Sequence, residues 1–196
     1  MDRDRFEIYW GYYLSIEKML EKTRQYVSPS FNNKDTYSDE FAKIILLSCS
    51  EIDSLLKYLC KLKRINKNGK HYNMQDYAKL LKKINNIKDI GYCPFYNSSL
   101  KEEALVVYPF ATLEQEKNYA NLVWWKDYQS IKHNRIENAE LGNLHNAVSA
   151  IIAHYIILKY AMEYLDNKES RDFVKNTYSS YYLIPVLKDV QIKYLL

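Results

Sequence analysis

Between Trp124 and Arg135 the sequence reads WWKDYQSIKHNR, which gathers an imidazole (His133), two cations (Lys132 and Arg135), an amide (Gln129) and a phenol (Tyr128), with Asn134 beside the histidine. On a helix, Tyr128, Lys132 and Arg135 share one face at i, i+4 and i+7, and Gln129, Lys132 and His133 occupy the neighbouring face. A histidine titrates near neutrality and can take or give a proton, while lysine and arginine can hold a phosphate and stabilise the extra charge of a pentavalent transition state. With RNA as substrate the ribose 2′-OH is itself the nucleophile, so neither a metal nor a protein nucleophile is required. The sequence shows no metal-ligand spacing and no serine or cysteine elbow. The same residues equally describe a solvated or partner-facing basic edge, and Trp124 and Trp125 read as core anchors.

Other residues can support such a patch. Glu51 sits inside an apolar stretch, either as a functional acid or as a carboxylate that reaches solvent at the edge of the stripe. Asp53 and Lys57, at i, i+4, read as an ordinary surface pair. Asn143 and Asn146, at i, i+3, either cap a helix or knit it to the cluster, with His145 between them on another face. His71 is expected in a loop and His154 on a helix surface.

The elements that must position these groups are helical. The chain has 196 residues, enough for one domain over 1–196 with a core that needs no metal or disulfide staple. Twenty tyrosines stand beside only four glycines and four prolines, and so few turn breakers favour long helices over a sandwich or barrel. Lys plus Arg exceeds Asp plus Glu by 28 − 24 = 4, a mildly basic balance that permits a nucleic-acid partner without requiring one. Cys49, Cys60 and Cys93 form no CxxC pair and fit a reducing compartment. The start MDRDRFEIYW is not a secretory signal, and the longest apolar window, AIIAHYIILKYAM, is broken by His154 and Lys159 and too short to span a bilayer. A cytoplasmic protein without a membrane association is the expectation.

Apolar periodicity predicts helices from Phe6 to about Tyr26, from Asp39 to Leu62 behind the cap Ser38, from Met74 to about Ile84, from near Leu122 to Arg135, and from about Gly142 to Leu165. A further short helix is expected near Arg171 to Tyr178. GYCPFYNSS reads as a turn region. Extended backbone is expected near 103–110 and at the C-terminus around Pro185. The sum is an all-α fold, an irregular bundle of four to six helices.

Three segments carry a resemblance: CSEIDSLLKYLC (Cys49 to Cys60), WWKDYQSIKHNR, and LGNLHNAVSAIIA (Leu141 to Ala153). Over roughly residues 26 to 165 the chain resembles a family of bacterial proteins within the HEPN-like helical superfamily, the pattern WWxxYxxxKHxR being the most specific part. The resemblance implies a bundle of four or five helices that dimerises, with no cofactor. It also implies metal-independent ribonuclease activity in defence or toxin–antitoxin systems, with RNA as substrate and a cognate antitoxin or regulatory protein as partner. The superfamily signature is an arginine separated from a following histidine by four to six residues, placed at a dimer seam. Setting His133 on that histidine puts Tyr128 in the arginine's place and Gln129 in the place of the polar residue that follows it. The arginine itself is missing, and Lys126, Lys132 or Arg135 would have to supply the cation. By the same analogy Glu51 faces the histidine across the bundle.

Overall fold

The computed structural model describes residues 1–67, 69–95, 104–113 and 121–186. Six helices follow in order: α1 (Arg3–Thr23), α2 (Asp39–Leu62), α3 (Met74–Leu81), α4 (Val123–His133), α5 (Leu144–Met162) and α6 (Lys168–Thr177). They are joined by a two-stranded ribbon, β1 (Gly91–Pro94) and β2 (Leu183–Val186). The expected all-α bundle is what forms.

α5 is the hub. It is apolar on nearly every side, and a helix of that kind is stable only when surrounded. α1, α2 and α4 pack around it, α2 most extensively. The α1 stripe of Phe6, Trp10, Tyr13, Ile16 and Leu20 and the α2 stripe of Ile45, Ile52, Leu55, Leu56 and Leu59 meet it in one continuous core. His154 therefore lies inside, fully buried and edge-on to the Tyr13 ring at 5.4 Å, not on the helix surface as its neighbours in sequence suggested. The enclosure comes from α1, which no local pattern in α5 announces.

Local chemistry fixes the helix ends. Ser38 caps α2 by accepting from the Phe41 N–H at 3.1 Å, with Asp39 and Glu40 in the first turn complementing the helix dipole. The far end of α2 closes with Arg64 at φ 52°, the left-handed position where glycine is usual, and Ile65 N–H reaching back to Cys60 O at 2.9 Å. Asn73 and Asp76 form a reciprocal capping box on α3.

The segment Gly91–Pro94 is a strand, which corrects its reading as a turn. Its partners are remote: β2 pairs with it antiparallel, Tyr92 opposite Pro185 and Cys93 opposite Ile184. On its other edge Tyr92 exchanges both backbone hydrogen bonds with Val107, at 3.1 and 3.0 Å. Tyr92 thus makes no ladder bond toward β2, and the proline opposite it has no donor to lose. Gly91 opens the strand under the Tyr108 ring, into which any Cβ would collide. The expected extended backbone near 103–110 consists of isolated bridges at Ala104 and Val107, residues 101–103 lying outside those described. Among the described residues no helix is long and apolar enough to cross a membrane.

Candidate functional site

α4 turns Trp124, Trp125, Tyr128 and Ile131 into the core, and Trp124 is pinned by donating Nε1–H to Pro109 O at 2.8 Å. The opposite face is left outward: Lys126 and His133 are exposed and Gln129 partly so. These three stand at i, i+3 and i+7, a single stripe along the helix. α4 runs antiparallel to α2, since Arg135 just past its end pairs with Asp39 at the start of α2, while Trp125 and Lys126 near its beginning share a cleft with Asp53 midway along α2.

That cleft, of about 460 Å³, opens between α2, α3 and α4. Tyr72, Tyr77 and Trp125 supply aromatic wall, and Asp53, Lys126 and Gln129 supply polar groups. The Tyr77 hydroxyl donates to Asp53 Oδ1 at 2.6 Å, and Lys57 Nζ donates to Oδ2 at 2.5 Å. Burial, reinforced by the hydrogen bond to Asp53 and by that carboxylate's charge, raises the Tyr77 pKa far above the ordinary phenol range. Tyr77 is consequently a permanent donor, and the carboxylate is held rigid from both sides.

The residues singled out from the sequence separate into three groups. His133, Lys132, Arg135, Lys126 and Gln129 lie on or beside the outward stripe. Lys132 is exposed with its ammonium 5.7 Å from the Tyr128 ring centroid, and the Arg135 guanidinium is half-exposed in its pair with Asp39. A pair that open to water is worth no more than about 1 kcal/mol, so an incoming phosphate can compete for the guanidinium.

Tyr128, Asn134, Asn143 and Asn146 are each engaged in holding the fold together. Tyr128 is only 4% exposed, beneath the stripe, and burial, with smaller contributions from Cys49 and Asp53, pushes its pKa up to about 12. Asn134 caps the end of α4, donating its N–H to Ser130 O at 2.9 Å and accepting from Asn138 Nδ2 at 2.7 Å on its carbonyl. Asn143 caps α5 by accepting from the Asn146 N–H at 2.9 Å. Asn146 is buried and donates to Asp127 Oδ2 at 2.8 Å and to Leu141 O at 3.0 Å.

Glu51 forms the third group. It stands on the flank of α2 that carries Ser54 and Tyr58, and those two meet Tyr9 and Arg5 of α1. Partial burial raises its carboxyl pKa. The acid that α2 turns toward α4 is instead Asp53, two residues on and about 200° around the helix. The sequence showed Asp53 only as half of an i, i+4 pair. What makes it a site residue, the Tyr77 hydroxyl from 24 residues away, has no local signature.

Among the described residues no group of three or more His, Cys, Asp and Glu side chains is placed to hold a metal ion. Compared with known proteins, the chain matches no family model, no curated sequence and no solved structure.

Proposed function

We propose that this chain is a HEPN-like protein acting on RNA, a metal-independent endoribonuclease of a bacterial defence or toxin–antitoxin system, working in the cytoplasm as a homodimer under a cognate antitoxin or regulatory protein. The observation that carries the reading is the exposure of His133 at the end of α4, with Lys132 adjoining it, Arg135 two residues on, and the Lys126–Gln129 stripe continuing behind it. In this mechanism His133 accepts the proton of a ribose 2′-OH as that oxygen attacks the adjacent phosphorus. Lys132 and Arg135 balance the charge gathering on the non-bridging oxygens. The 5′-oxygen departs with a proton, leaving a 2′,3′-cyclic phosphate on one product and a 5′-hydroxyl on the other. A second His133 brought up by a partner copy would supply that proton.

A second reading is favoured by the buried Tyr128 standing where the signature arginine is expected: a non-catalytic dimeric module that binds RNA, a nucleotide or a protein partner through the same face. One experiment separates the two. His133→Ala should abolish cleavage of a single-stranded RNA and leave the melting temperature unchanged, because the side chain is exposed. The binding reading gives no cleavage by either protein, with RNA affinity that survives the His133 change and falls with Lys132→Ala and with added salt. Cleavage retained by the His133 variant would remove this histidine from the mechanism.

A further inference from the structure

We propose that the cleft between α2, α3 and α4 is a nucleobase subsite for single-stranded RNA, selecting a base with an exocyclic amine over uracil. The inference rests on the reading of the outward stripe as RNA-facing and adds to it which base sits beside the scissile phosphate.

The cavity has the right scale. At about 460 Å³ it lies within the usual range of small-ligand pockets, ample for one nucleotide and too small for a stacked run. Its walls are aromatic, as recognition of unstacked RNA bases requires. A base in duplex could not enter, which makes the substrate single-stranded.

The polar groups give the selectivity. Asp53 is an acceptor-only carboxylate, and the donors Tyr77 and Lys57 each occupy one of its oxygens while leaving that oxygen a further lone pair. Fixed in this way it can receive an N–H but repels a carbonyl. Cytosine offers an N4 amine at the edge where uracil offers the O4 carbonyl, and carboxylates read that amine. Gln129 supplies an amide of the kind that pairs with N6 and N7 of adenine. No hydrogen bond or ion pair engages the Gln129 amide or the Lys126 ammonium among the described residues, so both are available to a ligand.

Position along α4 links the subsite to the chemistry. Gln129 and His133 are one helical turn apart on the same stripe, about 6 Å along the axis. A base seated against Gln129 therefore has its own phosphodiester within reach of His133, and Lys126, one turn the other way, meets the preceding backbone.

The test uses the full chain carrying His133→Ala, so that turnover does not consume the probe, and measures the anisotropy of labelled A8, C8 and U8 RNA. A8 and C8 should bind about tenfold more tightly than U8. Adding Gln129→Ala should bring A8 to within about twofold of U8, and adding Asp53→Asn should do the same for C8. Lys126→Ala should weaken all three alike. Equal binding of the three probes by the parent overturns the subsite while leaving an RNA-binding face intact. A preference unchanged in both added variants also overturns it, and Gln129→Ala decides alone if Asp53→Asn fails to fold. Absence of binding to every probe overturns the subsite and the RNA reading together, whereas cleavage by the His133 variant sinks the proposed mechanism without touching the base preference.

Discussion

Asn146, in the first turn of α5, donates its side-chain amide to Asp127 of α4 at 2.8 Å, a bond that ties the central helix to the helix carrying His133. The same amide donates to Leu141 O, and the Asn146 backbone N–H is capped by Asn143, so the junction of α4 and α5 is closed on both sides. Lys126 and Gln129 face the cleft because Trp124, Trp125, Tyr128 and Ile131 turn the other side of α4 inward, and the Asp127 bond adds to that anchoring.

Asn146→Ala should therefore destabilise the fold. A buried amide lost opposite a carboxylate costs about 1–3 kcal/mol, and in a chain of this size the melting temperature should drop by roughly 2–4 °C for each of those kcal/mol. Thermal unfolding followed by circular dichroism is the measurement. An unchanged midpoint would show that the bond does not anchor α4.

His154 makes a prediction about acid. Burial lowers its pKa to about 3, and neither ring nitrogen has a hydrogen-bond partner among the described residues. The ring is neutral in the folded protein, while in the unfolded chain it takes a proton near pH 6.5. As the pH falls below 6.5 the unfolded state gains a proton that the folded state refuses, so stability declines by up to about 1.4 kcal/mol per pH unit until about pH 3, and is unaffected above 6.5. His154→Leu removes this component and the unsatisfied nitrogens. The variant should equal or exceed the parent at pH 7 and gain a further ~2 kcal/mol on it by pH 5. Denaturant melts at the two pH values check the difference, and parallel profiles would refute it.

Glu17 holds the C-terminal strand. Its buried carboxylate accepts from the Tyr13 hydroxyl at 2.9 Å, from the Ser180 hydroxyl, and from the Tyr181 N–H at 3.2 Å, while Ser180 Oγ accepts the Leu183 N–H at 2.8 Å at the start of β2. Glu17→Ala strips an acceptor from three donors and should cost about 3 kcal/mol. The loss should be local first: amide exchange of Leu183, Ile184 and Val186 should accelerate well before that of α2. Equal loss of protection throughout would mean that β2 is not separately latched.

The exposed cations should affect RNA and not the fold. Lys126→Ala and Lys132→Ala should each change stability by less than about 0.5 kcal/mol. Each should also reduce the magnitude of the salt slope of single-stranded RNA binding by about 0.7. Titrations at several salt concentrations give both slopes, and a slope identical to the parent's would exclude that lysine from phosphate contact.

The sequence by itself determined the helices and their polarity. Period and capping are local properties, and α2 from Asp39 to Leu62 was readable to the residue because Ser38, the acidic first turn and the apolar stripe all lie within it. On α4 the sequence marked the two tryptophans as core anchors but grouped Tyr128 with Lys132 and Arg135 on one face, whereas packing buries Tyr128 with the tryptophans and leaves Lys126, Gln129 and His133 as the outward stripe. Tertiary structure decided everything that depends on a distant partner. β1 is a strand only because Val107 and β2 arrive beside it, His154 is interior only because α1 covers α5, and Asp53 displaces Glu51 as the acid facing α4 because the packing of α1 and α4 on opposite flanks of α2 assigns the two carboxylates to different neighbours. Helical periodicity gives the angle between two side chains on one helix, but which neighbour stands at each angle is set by the burial of the whole core.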